Sequence, residues 1–278
     1  MKQVLLWFKV IRPYSLFASF CPVAVGLLAE GVRSTLVAVA TMACALSLQI
    51  FSNLVNDYFD FKRGADKVDR DGPERMMAQG AVSEAQMRKA IIVTLIICLL
   101  LGIYLVYCGG WPILLIGVAS VAFAWLYTAT NHSLSYLGIA DIFVFIFYGV
   151  VASTGTTFLQ TESFSFPSFY AGAVCGLISM CLLIINNLRD IESDKEVGKR
   201  TFPVRFGKRA GEIGMLGVVL LMPLFAWLAF GFSWPMLIVV PALLLFAATL
   251  RAKGKQYNPC MMGAGITNLI YVGLCLLA

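Results

Sequence analysis

Three long runs without a single formal charge dominate the chain. Residues 90–140, 213–250 and 256–278 contain no Asp, Glu, Lys or Arg. A helix crossing a bilayer needs about 20 mostly apolar residues. A lipid environment also forces every backbone amide to be satisfied internally, which leaves helices as the economical solution. Charged residues make up only 13% of the chain, against about 25% in a soluble domain. The expected fold is all-α: a polytopic membrane protein, read as one unit over residues 1–278. Nothing in the composition suggests a nucleic-acid partner; the surrounding partner is membrane lipid. Nine spans are predicted, at roughly 13–29, 35–56, 89–107, 112–129, 137–159, 167–188, 213–232, 235–250 and 260–277. The Gly109-Gly110-Trp111-Pro112 and Ser233-Trp234-Pro235 segments read as tight turns with Trp at interface depth.

The basic residues then give an orientation. Under the nine-span reading, all of the 21 Lys and Arg except Arg33 fall on one side of the membrane. The positive-inside rule assigns that side to the cytoplasm, together with the N-terminus, and puts the C-terminus outside. The opening MKQVLLWFKVIRP is not a signal peptide, because its apolar run is short and broken by Lys9 and Arg12. The eight cysteines lie mostly inside apolar runs, form no CxxC, and read as small core residues.

Against this apolar background two polar stretches stand out. The first, NLVNDYFDFKRGADKVDRDGPERMMAQGAVS from Asn53 to Ser83, mixes acidic with basic residues. Its Asn53, Asp57 and Asp60 are spaced i, i+4, i+7 and share one helical face. The second, NNLRDIESDKEVGKRTFPVRFGKRAG from Asn186 to Gly211, repeats the idea with Asn187, Asp190 and Asp194 at i, i+3, i+7. The two motifs lie 133 residues apart, Asp57 to Asp190, and each follows an even-numbered span, so the chain has the look of a weak internal duplication.

Ionisable residues at membrane helices are costly and usually functional. Magnesium binds through one or two carboxylates plus phosphate oxygens and water. Two Asp pairs, Asp57 with Asp60 and Asp190 with Asp194, suit Mg²⁺ ions facing one diphosphate. Interleaved cations such as Lys62, Arg75, Lys195 and Lys199 suit the phosphate oxygens. Asn53, Asn56, Asn186 and Asn187 add neutral donors and acceptors. The plain alternative is a pair of ordinary charged loops, which leaves the recurring Asp spacing unexplained. A secondary transporter is a second alternative. Transporter sites, however, usually sit at the bilayer midplane at broken helices, whereas these charges gather at one face.

NDYFD followed by GAD, and DIESD followed by GKRT, resemble the UbiA superfamily of intramembrane aromatic prenyltransferases. NDYFDFKRGAD, GPERMMAQGAVS, LGIADI and NNLRDIESDKEVGKRTFPVRFG resemble in particular the branch acting on 1,4-dihydroxy-2-naphthoate. That branch commonly has Leu where this chain has Glu74. The resemblance implies a UbiA-type bundle with active-site loops at the cytoplasmic face of a prokaryotic plasma membrane. It implies a polyprenyl diphosphate donor, an aromatic acceptor with 4-hydroxybenzoate and homogentisate as runners-up, and loss of CO₂ to give demethylmenaquinol. Asp57, Asp60, Asp190 and Asp194 would hold Mg²⁺, and Arg75, Lys195 and Lys199 would steady the leaving diphosphate. Asp141, alone among otherwise charge-free residues 90–160, reads as orienting the acceptor, against an interhelical hydrogen bond, and Tyr127 reads equally as a ring facing the allylic cation or as an interface-belt tyrosine. His132 reads as a surface residue, and Met261 and Gly263 as packing residues.

Overall fold

The computed structural model describes residues 2–64, 75–126 and 138–278, with side chains from Leu5 onward. Tyr127, His132 and the loop acids and cations of residues 65–74 lie outside the described residues. The described part is helical, with no strand. Seven of its helices are long and apolar enough to cross a membrane, and the chain is an integral membrane protein.

A ten-residue helix α1 (Lys2–Ile11) leads into α2 (Pro13–Glu30). Helix α3 (Thr35–Lys62) starts at Ser34, whose hydroxyl accepts from the Val37 amide, and runs six residues past the expected end of its span. The extension carries Asp57 and Asp60 on regular helix. Helix α4 (Glu84–Leu126) is assigned over 43 residues, but Gly110 has φ 68° and ψ −155°. That conformation is open to glycine and ends a helical path for most other residues. Pro112 follows, a residue suited to the first turn of a new helix. Residues 84–109 and 111–126 are therefore two arms meeting at the expected turn.

Helix α5 (Ala140–Thr161) contains a π-helical turn, Ile146–Val151. It crosses α6 (Phe166–Arg189) at very short range. A Cβ on Gly149 would lie 2.6 Å from the Gly176 Cα and 2.7 Å from the Gly172 carbonyl. Small residues at such crossings let helix backbones touch where no hydrophobic force drives association. Two short helices, α7 (Ile191–Glu196) and α8 (Phe202–Phe206), carry the second motif's connection. Helix α9 (Lys208–Phe230), α10 (Trp234–Arg251, opening with a 3₁₀ turn) and α11 (Tyr257–Cys275) complete the bundle. Helix α6 sits at its centre, with a continuous face from Ala171 to Leu188 buried against α2, α9 and α11.

Candidate active site

The first motif is held by a polar knot at the junction of α1 and α2. Arg12 occupies the left-handed region, φ 56° and ψ 73°. A residue before proline is disfavoured in the α region, and a non-glycine residue here carries strain. Asn53 steadies the turn: its amide donates to the Ile11 carbonyl and to the Ser15 hydroxyl, both at 2.8 Å. Ser15 donates to the Arg12 backbone carbonyl at 2.8 Å, and the Gln49 side chain donates to the Asn53 side-chain oxygen at 3.2 Å. Thus fixed, Arg12 donates to Asp57, which also accepts from Arg75. A second nitrogen of Arg75 lies 3.6 Å from Asp60. Asp57 and Asp60 are 4% and 5% exposed, so these pairs stand largely out of water.

The second motif departs from one continuous helix. Asp190 has φ −98° and ψ 14°, ending α6 and opening α7. The break leaves Asn187, Asp190 and Asp194 buried together. The guanidinium of Arg189 grips both oxygens of Asp190 at 2.7 Å each, and donates to Asn186 at 2.7 Å and to Asn258 of α11 at 2.9 Å. Such a planar fork gives directional, charge-assisted bonds. Lys199 lies 3.3 Å from Asp194, and its backbone amide donates to the Asp194 carbonyl at 2.8 Å. Burial raises the pKa of Asp194. Lys199 pulls it back, while the negative charges of Asp190 and Asp60 push it up again. Asp60 of the first motif therefore acts on Asp194 of the second.

The start of α5 is drawn to the same place. Gly138 has φ 73°, and a Cβ there would fall 2.0 Å from the Arg200 carbonyl, so only glycine fits. This approach brings the first turn of α5, with Asp141, to the second motif's loop. One carboxylate oxygen of Asp141 is buried without a hydrogen-bond partner.

Of the other expected residues, Arg75, Asn187 and Lys199 sit with the Asp pairs, and Asn56 has its side-chain carbonyl buried without a partner. Lys62 points away, exposed and paired with Glu84 at 2.8 Å. Lys195 is exposed on α7. Tyr127 is outside the described residues. Sequence reading missed Arg12, Arg189, Gln49 and Asn258. It counted the two arginines only as orientation charges. The adjacency of Arg189 to Asp190 at an apolar helix end was the available signal; for Arg12, 45 residues from its partner, no local pattern exists.

Below this face, between α2, α3, both arms of α4 and α5, lies an apolar cavity of about 850 Å³. Gln49 lines its upper end, directly continuous with the knot around Asn53. Among the described residues no three His, Cys, Asp or Glu stand close enough to cage an ion. Magnesium does not need such a cage, since phosphate and water supply most of its ligands. The free oxygens of Asp60 and Asn56, both buried, fit an oxygen-liganded cation.

An acidic, arginine-lined face over an apolar cavity defines a membrane protein built for a ligand with an anionic head and a long apolar tail. The chain belongs to the UbiA prenyltransferase family, whose sequence profile matches residues 18–260. It is 33% identical to the 1,4-dihydroxy-2-naphthoate octaprenyltransferase of Escherichia coli (strain K12), over 96% of this chain and 93% of that protein. It is 31% identical to the enzyme of the same name from Haemophilus influenzae, over 88% of this chain and 84% of that protein. In fold it is similar to a UbiA homolog from Archaeoglobus fulgidus bound to GPP and Mg²⁺, with TM-score 0.68 at 18% identity over 97% of this chain and 98% of that one. A UbiA homolog from Aeropyrum pernix K1 gives TM-score 0.70 at 14% identity over 95% of this chain and 98% of that one.

Proposed function

We propose that this protein transfers a polyprenyl group from its diphosphate to 1,4-dihydroxy-2-naphthoate, with loss of CO₂, giving demethylmenaquinol for menaquinone biosynthesis. The observation that carries the reading is the pairing of buried Asp57 and Asp60 with Asp190 and Asp194 over an apolar cavity. The named relatives support the choice of donor and acceptor.

In this reading Asp57, Asp60, Asp190 and Asp194 hold magnesium against the donor diphosphate. When bound, that metal withdraws charge from the departing diphosphate oxygens. Arg75 and Lys199, already beside the carboxylates, supply fixed positive charge where the leaving group gains negative charge. Arg12 and Arg189 position Asp57 and Asp190 rather than meeting the substrate. Asn53 serves the same end by fixing the Arg12 turn, and Asn56 and Asn187 complete the polar lining. Lys62 and Lys195 stand outside this set on geometry and contribute general positive potential only. The apolar cavity takes the isoprenoid chain and keeps water from the allylic cation. The bond from the allylic carbon to diphosphate oxygen breaks with both electrons leaving on the diphosphate. The ring carbon bearing the carboxylate supplies the pair for the new carbon–carbon bond, and the carboxylate departs as CO₂. Asp141, at the edge of the second motif, orients an acceptor hydroxyl.

We also infer nine crossings. A straight 43-residue helix would be about 64 Å long, twice a hydrocarbon core of about 30 Å. The break at Gly110 supports two crossings there, and α11, with 19 residues, supports a ninth. All Lys and Arg but Arg33 then share one side, which supports a cytoplasmic N-terminus and cytoplasmic motifs, an outer C-terminus, and a single functional unit in a prokaryotic plasma membrane.

The test uses purified protein in liposomes with Mg²⁺, octaprenyl diphosphate and acceptor labelled in its carboxyl carbon. One labelled CO₂ should appear for each prenylated product. Label kept in the product, or turnover only with 4-hydroxybenzoate, refutes the acceptor while leaving prenyl transfer standing.

A further inference from the structure

Two short helices beside the acidic motifs leave large apolar side chains uncovered. On α1 the face bearing Leu6, Trp7 and Val10 packs into a methionine-rich cluster with Leu54, Met77 and Met87. The opposite face turns outward, with Leu5 61% and Phe8 57% exposed and Lys9 exposed beside them. The same combination recurs on α8. Phe202 and Phe206 are exposed with their ring centroids 4.9 Å apart, and Arg205, Lys208 and Arg209 stand exposed around them. A Cβ on Gly214 of α9 would lie 3.7 Å from Phe202, and the adjacent Ile213 is exposed, so this apolar surface runs on into the outer face of a membrane span.

Neither α1 (KQVLLWFKVI) nor α8 (FPVRF) carries an acidic residue. Apolar side chains interleaved with cations at the end of a span suit a helix lying in the interface plane, its apolar side in the acyl boundary and its cations on lipid phosphates. A helix of ten residues is also too short to hold itself in water, so α1 depends on what covers both of its faces. Its far end is Arg12. The left-handed turn there closes with the Arg12 amide donating to the Lys9 carbonyl at 3.3 Å and the Ser15 amide donating to the Arg12 carbonyl at 2.9 Å. A strained turn persists only where its surroundings over-determine it. How firmly α1 is seated therefore bears on how firmly Arg12 is held against Asp57.

We infer that α1 is a contact for anionic lipid that regulates the first motif. Leu5 and Phe8 enter the acyl boundary of the cytoplasmic leaflet, Lys9 meets its phosphate headgroups, and the seated helix holds Arg12 on Asp57. In the topology inferred above, this face meets the leaflet of negative surface potential, which completes the charge match. The motif is then held more tightly on an anionic membrane than on a zwitterionic one. The link to turnover rests on the prenyl-transfer reading above; the lipid contact stands apart from it.

Hydrogen exchange and turnover in nanodiscs test this, comparing phosphatidylcholine alone with phosphatidylcholine containing about one-third phosphatidylglycerol. The amides of residues 2–11 should exchange about threefold or more slowly in the anionic discs, and turnover should rise there by about threefold or more. The variant Leu5→Gln/Phe8→Gln/Lys9→Gln keeps good helix formers on α1 and should behave in both lipids as wild type does in phosphatidylcholine. Lys255→Gln removes one exposed cation elsewhere and should keep the full response. Exchange of residues 2–11 that ignores the lipid, a response retained by the triple variant, or an equal loss in Lys255→Gln overturns the contact. Slower exchange with turnover that ignores the lipid overturns the hold on Arg12. Wild-type protein inactive in both lipids would instead remove the prenyl-transfer reading, while the exchange result still decides the contact.

Discussion

Arg189 offers the sharpest test of how the second motif is built. Its side chain has no solvent exposure, and that of Asp190 has 10%. Replacing Arg189 with Ala removes two bonds to Asp190 at 2.7 Å, one to Asn186 at 2.7 Å and one to Asn258 at 2.9 Å. Hydrogen bonds to charged groups contribute about 1.5–3 kcal/mol each, so four would sum to about 6–12 kcal/mol if additive. They are not additive, because all four lean on one guanidinium. The deciding effect is the buried carboxylate left behind, and breaking a buried pair costs about 3–5 kcal/mol. Water can reach the slightly exposed rim of Asp190 and recover part of this, so the lower end, about 3 kcal/mol, is expected. For a chain of this size that corresponds to a fall in Tm of about 6–12 °C. Arg189→Lys keeps the charge but cannot make the two-pronged contact and should lie between. The assay is thermal unfolding in detergent, with Asn258→Ala and the double variant closing a cycle. A fall under 2 °C for Arg189→Ala, or strict additivity with Asn258→Ala, refutes the claim that this arginine joins the motif to α11.

Asp60→Asn should lose activity about 100-fold or more, the scale for removing one preorganised charge from a reacting centre, yet keep its Tm, since one oxygen of Asp60 has no partner. Asp57→Asn should lose both, because Arg12 and Arg75 converge on that carboxylate. Mg²⁺ with a diphosphate ligand should raise the wild-type Tm, as any ligand of the native state does, by about 2.7 kcal/mol of stability at 100 times Kd; Asp60→Asn should show little of this rise, and an equal rise would take Asp60 out of the metal site. Lys62→Ala should change turnover less than twofold, since its pair with Glu84 is solvent-exposed. Gly176→Leu should sharply reduce the yield of monodisperse protein, because even a Cβ there meets the Phe145 carbonyl at 2.6 Å; normal yield would show that α5 and α6 can part without loss.

The bundle was legible because long charge-free runs admit one answer in lipid, and the four aspartates were legible because three- and four-residue spacing places side chains on one helical face. The same rule, applied further, separates two cations that sequence reading had grouped. Lys62 is five residues after Asp57, about 140° around the helix, so it had to point away, as it does. Arg75 has no such constraint, because it lies 13 residues beyond the end of α3, and its 9% exposure beside Asp57 follows only from tertiary structure. The break at Asp190 was hidden for a related reason. A continuous helix and a helix ending at a carboxylate gripped by Arg189 carry the same spacing, and the difference lies in a contact with Asn258 on the last span. That span carries Asn258, bonded to Arg189, and the buried Asn268. Arginines at the ends of membrane helices meet two demands at once, since orientation requires cations at that face and buried aspartates require cations beside them. Arg12 and Arg189 satisfy both, so their charge alone cannot announce the second role; only the left-handed turn at Arg12 and the full burial of Arg189 do.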